Sequence, residues 1–291
     1  MFYHTAMTPL RFVWVDAFTD KQLAGNPCAV VLDADGLSPA RMQALAREFN
    51  LSETAFVLRS KKADVRARYF TPAGEIPLAG HPTLATMRAL VDCGRIRAPR
   101  RVALELKAGI VSVEVGARTI AMRQLEPRFL RRYSAAEALP AFGLSARDLL
   151  AGAPIQTVST GTPQLMVPVK SLAALRRARL DPARYARLRA RADFFSPHLF
   201  CITGKNATFA RHLGAPPESA EDPFTGSATG GMGAYLWRRG LIRTPRFTAA
   251  QSDWLGRPGR AFVEVHGPRE AIEAVTVGGA ATIVARGTLA L

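Results

Sequence analysis

Two loops of this sequence bring small residues to an expected helix start, and each carries a group that can hold or move a proton. Leu78-Ala-Gly-His-Pro-Thr83 contains His81, and Glu221-Asp-Pro-Phe-Thr-Gly-Ser-Ala-Thr-Gly230 contains Asp222. Gly80 and Gly226 let backbone approach a ligand, and unpaired N–H groups with the helix dipole favour an anion there. Two such starts facing one cleft would grip a substrate carboxylate, with Thr225 and Ser227 beside it. The plainer alternative is that Thr225 or Ser227 merely caps its helix in a glycine-rich turn.

His81 stands between Gly80 and Pro82 at a helix start, an unusual place for a core histidine. The dipole there disfavours the charged ring, leaving a neutral imidazole able to donate or accept a proton. A structural histidine is the other reading. Asp222 could orient a cation, an amine or His81; alone it would pass for an acid in a surface turn. Glu53 is the candidate base. It lies between a helix end at Phe49 and the apolar strand Ala55 to Leu58. If that edge faces the cleft, partial desolvation suits a carboxylate to general acid–base work; if not, Glu53 is an exposed turn residue.

The elements that must position these groups can be read from local pattern. Phe12 to Phe18 and Ala29 to Asp33 are expected as buried strands. Ser38 as N-cap, Pro39 behind it, and Met42, Leu45, Ala46 and Phe49 on one face predict a helix. Val65, Ala67, Tyr69 and Val102, Leu104, Leu106 alternate as half-buried strands. A second helix should start near Pro82 and stop at Gly94. The second half has strands near Ile155 to Ser159, Leu165 to Val169, His198 to Thr203 and Phe262 to Val265, and a helix from Gly226 to Arg239 ended by Gly240. Several strands with one long helix per half predict an α+β sheet wrapped around that helix.

Four short matches recur in the same order in both halves. Gly25-Asn-Pro27 resembles Gly161-Thr-Pro163, Leu51 to Leu58 lies opposite Phe195 to Ile202, Glu75 to Thr83 opposite Glu221 to Thr229, and Gly109 to Val115 opposite Gly259 to Val265. A duplication into two homologous domains, 1–125 and 126–291, follows. In this alignment Glu53 falls opposite Pro197, so the acid is not duplicated.

Composition bounds the rest. The 291 residues are 48% hydrophobic and 21% charged, enough for a globular core. No uninterrupted apolar run of some 18 residues is present, so no membrane span is expected. The first ten residues lack a basic start and an apolar core, which argues against a secretory signal. Cys28, Cys93 and Cys201 have no CxxC spacing, the pattern of reduced thiols in a cytoplasmic protein without a zinc site. The net charge of +16 raises nucleic-acid binding, but only six of the 39 basic residues are Lys and the Arg residues are scattered. The densest stretch, Arg176 to Arg191, sits at helical spacing and is expected as a solvated face.

Taken together, Asp16-Ala-Phe-Thr, Ala24-Gly-Asn-Pro27, Asn50-Leu-Ser-Glu-Thr54, Phe70-Thr-Pro72, Ala79-Gly-His-Pro-Thr83 and Glu221 to Gly230 resemble the PhzF-like (phenazine-biosynthesis) family over nearly the whole chain. The resemblance implies the diaminopimelate-epimerase fold, with the active site between two α+β domains, usually in a homodimer. It implies no metal and no organic cofactor. Glu53 matches the family's catalytic glutamate, His81 and Asp222 its histidine and aspartate, and Gly80 and Ser227 positions lining the substrate site. The reaction implied is isomerisation of trans-2,3-dihydro-3-hydroxyanthranilate by carbon-to-carbon proton transfer.

The same fold houses two-thiol racemases, with a Cys just before the glycine of each loop. Here those positions are Ala79 and Thr225, which excludes that chemistry. Three features depart from the family pattern: Gln251-Ser-Asp-Trp-Leu-Gly-Arg-Pro258, the Arg-rich Leu172 to Arg191, and Gly231-Met-Gly233 inside the second helix. They leave the substrate open. Another carboxylate-based tautomerase or epimerase, or a silent binding protein retaining the pocket, are the alternatives.

Overall fold

The computed structural model describes residues 9–215 and 220–290; the first eight residues, part of the stretch read for a secretory signal, lie outside them. The first half contains β1 (Leu10–Ala17), β2 (Asn26–Val31), α1 (Pro39–Phe49), β3 (Glu53–Leu58), β4 (Val65–Phe70), β5 (Glu75–Ile76), α2 (Gly80–Asp92), β6 (Arg100–Leu106), β7 (Gly109–Val115) and β8 (Ile120–Arg123). The second half begins with β9 (Arg128–Tyr133), α3 (Ala135–Ala138), β10 (Ile155–Ser159), β11 (Pro163–Pro168), α4 (Leu172–Arg177) and α5 (Pro182–Arg189). It continues with β12 (Ser196–Gly204), β13 (Ala207–Leu213), β14 (Glu221–Asp222), α6 (Gly226–Arg238), β15 (Arg246–Gln251), β16 (Gly259–His266), β17 (Ala274–Gly279) and β18 (Ala281–Leu289).

The local signals behave as their chemistry dictates. Ser38 accepts the Arg41 amide at the start of α1, and Asn50 closes that helix in the left-handed region. Met42, Leu45 and Ala46 are buried, while Phe49 is half-buried. Helix α2 begins at Gly80, two residues before the expected Pro82. A proline fits the first turn because amides there have no partner within the helix. Gly94 and Gly240 follow α2 and α6 with positive φ. In the Arg-rich segment, Asp181 caps α5, Tyr185 and Leu188 turn inward, and Arg184, Arg187 and Arg191 are exposed.

The two halves share one sheet plan. Strands β1 and β2 are antiparallel, β2 and β3 parallel, β3 and β4 antiparallel, and β4 and β6 parallel. The same sequence of relations links β10, β11, β12, β13 and β15. Pairing of β8 with β17 joins the halves into a continuous sheet. The last strand, β18, crosses back to pair with β1, as β9 pairs with β10. Helix α2 packs on β1, β2, β3, β8 and β18, and α6 on β10, β11, β16 and β17, so each sheet wraps one helix. Leu84 and Met87 of α2 and Met232, Tyr235 and Leu236 of α6 are fully buried in that packing.

Hydrogen-bond register corrects one sequence alignment. Cys28 pairs with Glu53 across β2 and β3, and Gln164 with Ser196 across β11 and β12. Because Gly25-Asn-Pro27 matches Gly161-Thr-Pro163, Cys28 corresponds to Gln164 and Glu53 to Ser196, not Pro197. The neighbouring strands agree. Tyr69 faces Ile76 where His212 faces Asp222, and the Arg68–Glu75 pair is repeated as Arg211–Glu221. A one-residue slip would invert every side chain of the strand, so register decides the match. The acid is still unduplicated, but its counterpart is a serine.

Candidate active site

The starts of α2 and α6 meet. A Cβ added to Gly80 would lie 2.7 Å from the Gly226 Cα, so only glycine permits this approach of two backbones. Neither helix has a side-chain cap at its N-cap residue, Ala79 or Thr225. Thr225 instead donates its hydroxyl to Asp222 Oδ2 at 2.5 Å, and its amide donates to Gln251 Oε1 at 3.3 Å. Thr225 therefore serves the aspartate and not its own helix. Within α6, Gly230 leaves room for Gln124, whose amide donates to the Gly226 carbonyl at 2.9 Å.

Beside these starts lies a cavity of about 100 Å³, lined by residues of both halves that include Glu53, Ala79, Asp222, Thr225 and Ser227. Glu53 opens β3 at its rim, and its Oε2 lies 3.1 Å from His81 Nε2. Glu53, His81 and Asp222 each place one nitrogen or oxygen within 4.8 Å of the others. The sequence thus named three groups that the fold does bring together. Gly80 and Gly226 form the helix contact, and Thr225 and Ser227 line the cavity.

Asn26 is the residue that sequence reasoning passed over. Fully buried, its Nδ2 donates to Asp222 Oδ1 at 2.8 Å and to the Phe224 carbonyl at 2.8 Å, and lies 3.0 Å from His81 Nδ1. Two acceptors fix which end of the amide is nitrogen, since a carbonyl there would face a carboxylate. An amide nitrogen cannot accept, so Nδ1 of His81 carries no hydrogen and at most shares one of these two N–H groups, and the proton of the neutral ring sits on Nε2, 3.1 Å from Glu53 Oε2. Burial brings the His81 pKa down to about 4, against the opposing pull of Asp222, so the ring is neutral at pH 7. Burial works to raise the Asp222 pKa, but His81 and His212, with hydrogen bonds from Thr225 and Ser52, hold it below the usual carboxylate value.

A second group supports this one. Arg257 bonds Asp16 Oδ1 at 2.6 Å and the carbonyls of Ala24 and Gly25, clamping the turn that carries Asn26. Gln251 donates to the Asp222 carbonyl at 2.7 Å. Asn26 sat in a quoted motif and carried a signal; Gln251 and Arg257 appeared only as part of a departure from the family pattern. A cation at the carboxylate–histidine group would compete with hydrogens already directed at its lone pairs, since His81 Nδ1 and both Asp222 oxygens accept protein donors. No cysteine lines the cavity: Cys28 and Cys201 are buried and Cys93 lies at the far end of α2.

Two sheet-wrapped helices meeting start to start define the epimerase-like α+β class, and comparisons with known proteins agree. A hydroxyproline epimerase from Agrobacterium vitis shares the fold at a TM-score of 0.70 and 13% identity, over 98% of this chain and 94% of that one. The crystal structure of a Bacillus anthracis phenazine biosynthesis protein of the PhzF family matches at a TM-score of 0.86 and 32% identity, covering 98% of this chain and 100% of that one. The trans-2,3-dihydro-3-hydroxyanthranilate isomerase of Pseudomonas aeruginosa is 35% identical over 285 residues, which is 95% of this chain and 98% of the relative. A family model described as phenazine biosynthesis-like protein, PhzC–PhzF, matches residues 15–287. The chain belongs to this family and is an isomerase. Among the described residues, no helix is long and apolar enough to cross a membrane.

Proposed function

We propose that the protein moves a proton between two carbons of a small cyclic carboxylate, with Glu53 as the base. The observation that carries this reading is the placement of the Glu53 carboxylate at the cavity, with its Oε2 3.1 Å from Nε2 of a buried histidine that is neutral at pH 7. The amides at the starts of α2 and α6 hold the substrate carboxylate. Glu53 takes a proton from a ring carbon; the electron pair of that C–H bond enters the conjugated system. The same acid returns the proton at another carbon, so substrate and product have the same atoms. His81 orients Glu53 and supports its charge, while Asp222 binds or polarises an amine or hydroxyl of the substrate. In this reading the two halves, 1–125 and 126–291, are domains that both line the cleft, with β18 of the second crossing to pair with β1 of the first.

The identity of the Pseudomonas aeruginosa relative makes trans-2,3-dihydro-3-hydroxyanthranilate the first substrate to try. Proton NMR in heavy water tests the proposal: wild-type protein should consume this compound and place deuterium on a ring carbon. Tight binding without exchange would instead favour a silent binding protein.

A further inference from the structure

The second half of the cleft has its own buried polar group, not used by the mechanism above. Gln164, Ser196 and His212 line the same cavity as Glu53 and Asp222. Ser196 donates to Gln164 Oε1 at 2.7 Å, and its Oγ lies 2.8 Å from His212 Nε2. His212 Nδ1 lies 3.4 Å from Nδ1 of His198, which is completely buried and whose Nε2 has no hydrogen-bond partner among the described residues.

The proton positions in this group follow from counting. Ser196 has one hydroxyl hydrogen, given to Gln164, so it accepts from Nε2–H of His212. Nδ1 of His212 is then bare and accepts from Nδ1–H of His198. Donors run in one direction, from the core histidine to the residues at the cavity. Burial brings the His212 pKa down to about 4 and that of His198 well below its usual value, so both rings are neutral at pH 7. The register of the repeat gives the group its meaning: Ser196 stands where Glu53 stands in the first half. Duplication has produced one face with a base and one face with neutral hydrogen-bonding groups.

We propose that Gln164, Ser196 and His212 form the specificity-determining wall of the cleft, reading an uncharged hydrogen-bonding substituent, a hydroxyl, on the cyclic carboxylate. A second carboxylate would meet Asp222, and among the described residues no Lys or Arg lines the cavity. An ammonium would be drawn to Asp222 and Glu53 instead. A neutral hydroxyl both donates and accepts, as this wall does. A site that hydrogen-bonds a hydroxyl favours it over the analogue lacking it, because the bonds from the Gln164 amide and to the remaining Ser196 lone pair have no replacement.

The inference rests on the cyclic-carboxylate reading, and the test separates the two. Anthranilate and 3-hydroxyanthranilate differ by one hydroxyl, and calorimetric titration can compare them on wild type, Ser196→Ala and Gln164→Leu. Wild type should prefer the hydroxylated compound by about tenfold or more. Either variant that folds should lose that preference while binding anthranilate within about threefold of wild type. A preference that survives in the folded variants, or its absence in wild type, overturns the assignment of the wall alone. Failure of wild type to bind either compound overturns the cyclic-carboxylate reading and the wall with it.

Discussion

Acid should weaken this protein well before its carboxylates titrate, because the cleft buries histidines that must stay neutral. His81 and His212 each fall from 6.5 to about 4 on folding, burial being the main cause. The sign follows directly: the unfolded chain takes up these protons first, so stability is lost as pH falls from 6.5 towards 4. At pH 5 each ring costs about 2 kcal/mol relative to pH 8, and the pair about 4 kcal/mol. His198 adds to the loss in the same direction. Asp16, raised by burial against the pull of Arg257, opposes it. A loss of this size is a large part of an ordinary folding free energy and should lower the urea midpoint by roughly 1 M between pH 8 and pH 5. Urea melts followed by tryptophan fluorescence at several pH values measure it. His212→Gln should remove about 2 kcal/mol of the drop. A midpoint unchanged from pH 8 to pH 5 would refute the neutral, buried histidines on which the site depends.

Three substitutions test the supports of the site. Asn26→Asp puts a second carboxylate beside Asp222 and His81; turnover at pH 8 should fall at least about 100-fold and partly recover at pH 6, where the two acids share a proton. A flat activity ratio across that range would remove Asn26 from its positioning role. Gly80→Ala forces a methyl group against the Gly226 backbone. Thermal melts should show a loss of about 1–3 kcal/mol, with exchange activity falling further than stability accounts for. Arg257→Leu strips Asp16, 1% exposed, of its ion pair, and urea melts should record a loss of about 2–3 kcal/mol.

Much of this fold is written locally. Ser38 with Pro39, and Gly94 and Gly240 after their helices, are short-range signals whose chemistry does not depend on distant contacts. Glu53, His81 and Asp222 were legible because two of them sit on repeated loops and the third beside a strand start. What sequence could not supply was register. Ser196 as the counterpart of Glu53 emerges only from which amides pair across β11 and β12. His212 falls within β13, whose residues are almost all buried, and nothing in residue type separates a core histidine there from one lining a cavity. Likewise the crossing of β18 to β1 is set by contacts 270 or so residues apart, beyond the reach of periodicity. Asn26 lay in a motif already noted, but a turn asparagine has many uses. Its role shows only when His81, Asp222 and Phe224 converge on one amide.

The central claim is that Glu53 moves the proton, and replacing it by glutamine tests this most directly. Glu53→Gln keeps the shape and removes the basic oxygen. With trans-2,3-dihydro-3-hydroxyanthranilate in heavy water, the variant should incorporate deuterium at least about 1,000-fold more slowly than wild type. Its affinity for anthranilate should stay within about threefold, because the helix starts that hold the carboxylate are untouched. Deuterium incorporation within tenfold of wild type would contradict the account and assign the proton transfer to another group.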